Sequence, residues 1–171
     1  LFPAFRAFEE DFENQEDDLD FIIQNIEQVD RAFNAFTLQS PSAKTVEDYV
    51  QLRKCILEGS CDFIDNRFDV IDDPVNPGNS VLQFFAVAPA ADMVTSKTSI
   101  STGLVFFEQG DEFWFEADYF IDGHYPTTIA DFESSFFTES PGPRLIFRSG
   151  YLAVENKFNE KLNYNQTIAE P

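Results

Sequence analysis

Two pairs of carboxylates in the middle of the chain are spaced so that they could act together. Glu116 and Asp118 are separated by one alanine, and Asp131 and Glu133 by one phenylalanine. Because alternate residues of a strand share a face, we expect all four carboxylates on one face of neighbouring strands. A retaining glycosidase uses two such groups about 5–5.5 Å apart. Several together could instead hold Ca²⁺, and a polar outer sheet face with neither role has the same pattern.

The single tryptophan, Trp114, stands two residues before Glu116. In a strand it would therefore share a face with Glu116 and Asp118. A tryptophan among polar groups on a concave sheet could stack on a pyranose ring, because the indole is apolar with one polar tip. Packing beneath helices of the same chain explains its presence equally well, so both interpretations stay open.

Motifs for other common chemistries are missing from the sequence. Its one histidine, His124, lies in a turn-like Asp-Gly-His-Tyr-Pro stretch, and together with two nearby cysteines it does not make a zinc ligand set. The sequence contains no glycine-rich phosphate loop, serine nucleophile elbow or dinucleotide fingerprint. Zinc, nucleotide and serine-nucleophile chemistry are therefore not indicated.

The elements that must position these residues read mostly as β-strands. Between Lys97 and Gln166, apolar and polar residues alternate, and turn signals such as Asp122-Gly123 and Ser149-Gly150 interrupt the alternation at short intervals. Alternation with period two is typical of strands that bury one side. We therefore predict a mostly β sandwich or barrel, with strands at residues 68–71, 81–88, 95–107, 112–121, 128–137, 144–148 and 152–158.

Residues 17–60 have a different periodicity, which predicts a helical hairpin inserted on the N-terminal side. Over residues 17–36, apolar side chains recur at steps of three and four, as they do on the buried face of an amphipathic helix. A second helix is predicted at residues 45–58. Thr45 and Asp48 have the spacing of a capping box at its start, with Asp in place of the usual Glu.

The composition favours one acidic globular domain over residues 1–171. The chain is 43% hydrophobic, which is enough for a sizeable core, and its formal net charge is −20. A negative field of this strength repels nucleic acid and anionic membrane surfaces, so we expect neither as a partner. No apolar run approaches the roughly 18 residues of a membrane-spanning helix.

The two cysteines, Cys55 and Cys61, are separated by five residues around a Gly-Ser pair. Such a spacing could close a small disulfide loop, although two buried thiols are the alternative. Because disulfides persist in oxidising compartments, the pair predicts a secreted, extracellular protein.

Several segments within residues 68–166 resemble the strand series of concanavalin-A-like jelly rolls, and more narrowly the polysaccharide lyases of that fold. These segments are Asp72-Asp-Pro74, Ser96-Lys-Thr98, Gly110-Asp-Glu-Phe-Trp114, Thr128-Ile-Ala-Asp-Phe-Glu133, Ser140-Pro-Gly-Pro-Arg144 and Tyr164-Asn-Gln166. In the alginate-lyase branch, a concave sheet grips the sugar chain with an Arg-Thr-Glu-Leu-Arg strand, a Gln-Ile-His strand and a Tyr-Asn-Gln strand. By chain order, residues 97–101, 131–133 and 164–166 match these three. The resemblance implies a jelly-roll β-sandwich.

The resemblance also implies a lyase that cleaves an acidic polysaccharide by β-elimination. Tyr164 would be base and acid in turn, Lys97 or Arg144 would supply a nearby cation, and Gln166 would hold the substrate carboxylate. Glu133 stands where the family has histidine. A half-buried strand tyrosine and solvated or paired surface cations are the simpler interpretations of these residues. The residues expected to contact substrate are Trp114, Glu116, Asp118 and Asp131.

A glycan-binding or self-assembling module that kept the fold and lost the chemistry is the second hypothesis. The missing histidine, the strong acidity and the early end of the chain after Tyr164-Asn-Gln166 favour it. A polysaccharide is the expected partner, and a further chain or a second copy of this chain could complete the sandwich. The sequence indicates no certain cofactor, and Ca²⁺, which the carboxylates could hold, is the one candidate. Fold alone does not decide between the two hypotheses.

Overall fold

The computed structural model describes residues 11–13, 35–101, 112, 114–123, 128–132, 143–148, 151–156 and 166–169. These ranges contain eight β-strands and one α-helix, which confirms the prediction of a mostly β protein. The helix α1 spans Val46–Leu57. The strands are β1 (Ala35–Gln39), β2 (Arg67–Asp72), β3 (Ser80–Phe85), β4 (Lys97–Ser101), β5 (Thr128–Asp131), β6 (Pro143–Arg148), β7 (Tyr151–Asn156) and β8 (Gln166–Ala169).

The strand pairs of the described ranges are all antiparallel and form three small sheets. β1 pairs with β4, and β2 pairs with β3 as a hairpin. β5, β6, β7 and β8 follow one another in a four-stranded sheet whose spatial order equals their chain order. Antiparallel sheets with one covered face account for the period-two patterning of the sequence. These small antiparallel sheets confirm the mostly β class alone, and the jelly-roll sandwich stays a prediction.

The chain divides into two compact units between Asp111 and Glu112. The first unit holds α1 and β1 to β4, and the second holds the four-stranded sheet. The single domain over residues 1–171 stays a prediction. Within the described ranges, no helix is both long and apolar enough to cross a membrane.

Helix α1 begins at the capping box that its sequence predicts. The Thr45 hydroxyl accepts the backbone N–H of Asp48, and the Asp48 carboxylate accepts the backbone N–H of Thr45. These hydrogen bonds satisfy amide donors that a helix start leaves unpaired, and they lower the pKa of Asp48. Just beyond the helix, Gly59 has a φ of 67°, a left-handed conformation that glycine adopts at little cost.

The prediction of a first helix over residues 17–36 is wrong at its last two residues, because Ala35 and Phe36 belong to β1. Residues 17–34 of that helix lie outside the described ranges, so the hairpin as a whole stays a prediction. In β1 the buried Phe36 and Leu38 alternate with the half-buried Thr37, and the strand pairs with β4 in register. The period is therefore two here, although Phe36 also continues the helical spacing of the residues before it.

The core of the first unit lies between α1 and strands β1 and β2. Phe36 and Phe68 meet edge to face with ring centroids 5.2 Å apart, and Phe63 packs on Phe68 in the same way at 5.0 Å. Offset and edge-to-face contacts of this kind suit the quadrupole of aromatic rings. The buried members of this core are Phe36, Leu38, Ala43, Leu52, Ile56 and Phe68.

A buried asparagine, Asn66, joins three segments of this unit. Its amide nitrogen donates to the backbone oxygens of Gln39 at 2.7 Å and Lys97 at 3.2 Å, and its side-chain oxygen accepts the backbone N–H of Val87 at 2.9 Å. It also lies within hydrogen-bond distance of the Ser96 hydroxyl. Because buried polar groups are costly unless paired, Asn66 fixes how these segments meet.

Cys55 and Cys61 form a disulfide, which confirms the predicted pairing. The bond connects the last turn of α1 to the segment that leads into β2, with the two Cα atoms 5.4 Å apart. Neither cysteine of the chain is free. The bond is consistent with an extracellular protein, since such bonds persist under oxidising conditions.

Candidate functional site

A row of charged residues crosses the four-stranded sheet of the second unit. Asp131 on β5 is directly opposite Arg144 on β6, and Arg144 is directly opposite Glu155 on β7. Directly opposite residues point to the same face of an antiparallel sheet. The structure therefore brings together two predicted site residues, Asp131 and Arg144. It also places Glu155 opposite Arg144 on the next strand, β7.

Arg144 and Glu155 form an ion pair within this row. The guanidinium Nε donates to Glu155 Oε2, and Nη2 contacts the same oxygen. The two side chains are 20% and 25% exposed, so solvent reaches them but does not surround them. Ile146 and Ala153, one step further along the same face, are buried. The ion pair thus sits beside a covered part of the sheet.

Gln166 lies in the same sheet but in another row. It pairs with Val154, which in turn pairs with Leu145. Consecutive positions of a strand alternate between faces, so this row alternates with the row of Arg144 and Glu155. A shared role on the substrate carboxylate would need Gln166 and Arg144 in the same row of the sheet. The register places them in different rows.

Within the described ranges, this sheet contains none of the other residues predicted for catalysis beside Arg144. Lys97 is exposed on β4, opposite Gln39, in the first unit. Tyr164 and Glu133 lie outside the residues that the structure describes. Their roles in β-elimination stay predictions.

Residues 114–122 form an exposed stretch that we call the aromatic–acidic segment. The sequence predicts a strand over residues 112–121, but this prediction is wrong, because residues 114–122 contain no strand, helix, turn or bend. Strand-like alternation is a local property, whereas a strand exists only when a neighbour supplies hydrogen bonds. Every residue from Trp114 to Phe120 is exposed.

Trp114 is the most exposed aromatic residue of the segment. Its side chain is 85% exposed, and Phe120 follows at 63%. Glu116 and Asp118 follow Trp114 at every second position, and both are also exposed. Within the second unit, the described residues leave the indole uncovered. An uncovered indole next to two carboxylates is a surface on which a flat, hydroxyl-bearing molecule could rest.

The aromatic–acidic segment is attached to the sheet through one of its rings. Phe115 meets Phe132 edge to face, with centroids 5.1 Å apart. Phe132 directly follows β5, and its backbone N–H donates to the Pro143 oxygen at the start of β6. Partial burial raises the pKa of the nearby Tyr119, whose side chain is 50% exposed.

The described residues do not assemble the calcium site that the carboxylates could have formed. Among them, no group of three or more His, Cys, Asp or Glu side chains is placed to hold a metal ion. Glu116 and Asp118 stand on the aromatic–acidic segment and Asp131 on β5, while Glu133 lies outside the described ranges. The Ca²⁺ and the paired-carboxylate glycosidase hypotheses therefore both stay predictions.

The sequence reasoning missed Glu155, although the sequence contains the signal for it. Arg148 and Tyr151 are directly opposite each other, and only Ser149 and Gly150 lie between them. A two-residue hairpin loop fixes the register of both strands. Arg144 lies four residues before Arg148, and Glu155 lies four residues after Tyr151. The register of the hairpin therefore pairs Arg144 with Glu155.

Comparison of the chain with protein-family models, with curated proteins and with solved structures finds no match.

Proposed function

We propose that this chain is an extracellular carbohydrate-binding protein of jelly-roll type that contacts its glycan through the aromatic–acidic segment. The observation that carries the proposal is the 85% exposure of Trp114 next to the exposed Glu116 and Asp118. The disulfide supports an extracellular location, and the antiparallel four-stranded sheet supports a sandwich.

Sugar rings have an apolar face of C–H bonds and a rim of hydroxyl groups. The indole face of Trp114 could cover the apolar face, while the carboxylates of Glu116 and Asp118 accept hydrogen bonds from hydroxyl groups at the rim. Covering one face of an exposed indole recovers on the order of 1–2 kcal/mol. That gain is available here because the described residues of the second unit leave Trp114 85% exposed.

The attachment of the segment to the sheet supports the proposal as well. Phe115 packs on Phe132, so the residue next to Trp114 is held before any ligand arrives. A contact surface that is ordered beforehand loses less conformational entropy on binding. The segment therefore combines an accessible aromatic face with a fixed neighbour.

Isothermal titration calorimetry with soluble glycans tests the proposal, with Trp114→Ala as the main variant. We expect the substitution to weaken binding roughly tenfold, since about 1.4 kcal/mol corresponds to a factor of ten. Phe84→Ala removes an exposed aromatic side chain from the first unit and serves as the matched control. Unchanged affinity in Trp114→Ala, or an equal loss in both variants, would reject the segment as the glycan contact.

A second candidate function is β-elimination on an acidic polysaccharide, and the row of Asp131, Arg144 and Glu155 favours it. The Arg144 guanidinium is held in place on a partly exposed sheet face. A group that neutralises a uronate carboxylate must be both held in place and accessible. In this mechanism Tyr164 takes the C5 proton and protonates the leaving oxygen, and Arg144 neutralises the substrate carboxylate.

The ultraviolet absorbance of the unsaturated uronate product tests this second function. Incubation with alginate, glucuronan and pectate should produce it, and Tyr164→Phe should abolish product formation while leaving glycan binding nearly intact. Absence of product from all three polymers would remove the lyase function, and activity retained in Tyr164→Phe would reject the role of Tyr164.

A further inference from the structure

We propose that residues 86–96, which we call the β3–β4 loop, insert Val94 into the active site of a serine protease whose primary pocket accepts small aliphatic side chains, and so inhibit that protease. The loop belongs to the first unit, so this activity is separate from the glycan contact of the aromatic–acidic segment. The proposal follows from the exposure of Val94, from contacts that hold the loop on both sides of it, and from the chemistry of the loop.

Val94 presents an apolar side chain to solvent. It is 102% exposed, and no other large hydrophobic residue of the described ranges is as exposed. Residues 93–96 belong to no helix or strand. Burial of this side chain in a pocket of a partner would be favourable, and a β-branched valine has few rotamers to lose on binding.

An ion pair holds the loop on the N-terminal side of Val94. Lys44 Nζ donates to both carboxylate oxygens of Asp92, at 3.0 and 2.8 Å. The backbone N–H of Met93 donates to the Ala90 oxygen at 2.9 Å, which closes a turn. The chain is therefore fixed two residues before Val94.

The buried Asn66 holds both ends of the β3–β4 loop. Its side-chain oxygen accepts the backbone N–H of Val87 at 2.9 Å, and its amide nitrogen lies 3.1 Å from the Ser96 hydroxyl. Across the base of the loop, the Thr98 hydroxyl donates to the Phe85 oxygen at 2.7 Å. A loop that is held before binding loses less conformational entropy, and protease inhibitors move little when they bind.

The chemistry of the loop indicates which protease pocket it fits. Asp92 is the one charged residue among residues 86–96, and it is paired with Lys44, although the whole chain has a net charge of −20. An aspartate in the primary pocket selects basic side chains, a hydrophobic slot selects aromatic ones, and a small pocket selects small aliphatic ones. The loop contains no Lys, Arg or aromatic residue. Val94 therefore fits the small pocket of an elastase-type enzyme.

Inhibition of pancreatic elastase tests the proposal, with the initial rate of hydrolysis of a chromogenic peptide as the readout. We expect the unaltered protein to inhibit, and Val94→Asp to raise the inhibition constant about hundredfold, because a carboxylate is costly to bury in an apolar pocket. Val94→Arg should exchange inhibition of elastase for inhibition of trypsin. Val75→Asp is the matched control and should inhibit like the unaltered protein, because exposed Val75 lies between β2 and β3 of the same unit.

A second pair of variants tests whether the loop must be held. Lys44→Ala removes the ion pair with Asp92 and should weaken inhibition and speed hydrolysis of the peptide bond after Val94, which mass spectrometry locates. Lys54→Ala removes an ion pair with Glu58 on the far side of the helix sequence from Lys44 and should change neither.

Three results would overturn the proposal. They are no inhibition of elastase, rapid hydrolysis after Val94 in the unaltered protein without lasting inhibition, and equal inhibition by Val94→Asp and the unaltered protein. Glycan binding by the second unit stands in each case, because it is measured separately.

Discussion

Phe115 and Phe132 meet edge to face, with ring centroids 5.1 Å apart and ring planes at 72°. This contact attaches the aromatic–acidic segment to the start of the sheet. We expect Phe115→Ala to loosen the segment and to weaken glycan binding several-fold, because an aromatic pair contributes roughly 0.5–1.5 kcal/mol. Calorimetry with a soluble glycan that the protein binds measures the effect.

Phe115→Tyr is the matched control, since it keeps the ring and should keep the affinity. If Phe115→Ala binds as tightly as the unaltered protein, the contact with Phe132 does not position Trp114.

The hydrogen bonds of Asn66 predict a large effect on stability. Asn66→Ala leaves the half-buried Val87 N–H without this partner and the Gln39 oxygen with the Ser96 hydroxyl alone, and a polar group left unpaired away from water costs about 1–3 kcal/mol. We expect the free energy of unfolding, measured in urea, to fall by about 2 kcal/mol or more. Asn76→Ala is the control, because exposed Asn76 donates from its side chain only to Asp73 within the described ranges. Equal stability of the two variants would contradict the structural role of Asn66.

Asp65 predicts a loss of stability in acid. Hydrogen bonds from the Ser42 hydroxyl and backbone amide hold the pKa of Asp65 below its usual value of 3.8. The folded state thus favours the carboxylate, so its contribution is present above about pH 3.8 and is lost as the pH falls through the lower folded value. Asp65→Asn should be less stable near neutral pH and should lose less stability on acidification. Urea midpoints across this range, with Asp62→Asn as control, measure the difference; parallel curves for Asp65→Asn and the unaltered protein would contradict the prediction.

The disulfide predicts a moderate gain in stability. Cys55 and Cys61 are six positions apart, and closing so short a loop restricts the unfolded chain by about 2 kcal/mol. Cys55→Ser combined with Cys61→Ser should lower the free energy of unfolding by that amount, and a reductant should lower it equally in the unaltered protein. No effect of either treatment would show that the bond does not constrain the unfolded state.

The sequence predicts those elements whose signals are local. Thr45 and Asp48 mark the start of α1, and Gly59 lies just beyond its end, because capping and left-handed backbone depend on neighbouring residues alone. The hairpin of β6 and β7 is predictable for the same reason, since its two-residue turn also fixes its register.

Elements that depend on distant partners are not predictable in this way. Phe36 fits a helical spacing and a strand spacing, and its pairing with Ile100 on β4 decides between them. Residues 114–122 alternate like a strand yet have no strand partner. Asn66 carries no sequence signal at all, because its partners at Gln39 and Val87 lie far from it along the chain.

The tryptophan fluorescence of the protein, titrated with the same soluble glycans as in calorimetry, tests the central claim most directly. The chain contains one tryptophan, so the emission reports on Trp114 alone. We predict a saturable change in emission with the glycan that binds, at the dissociation constant that calorimetry gives. Binding by calorimetry with unaltered emission, or no binding of any glycan, would contradict a sugar ring stacked on Trp114.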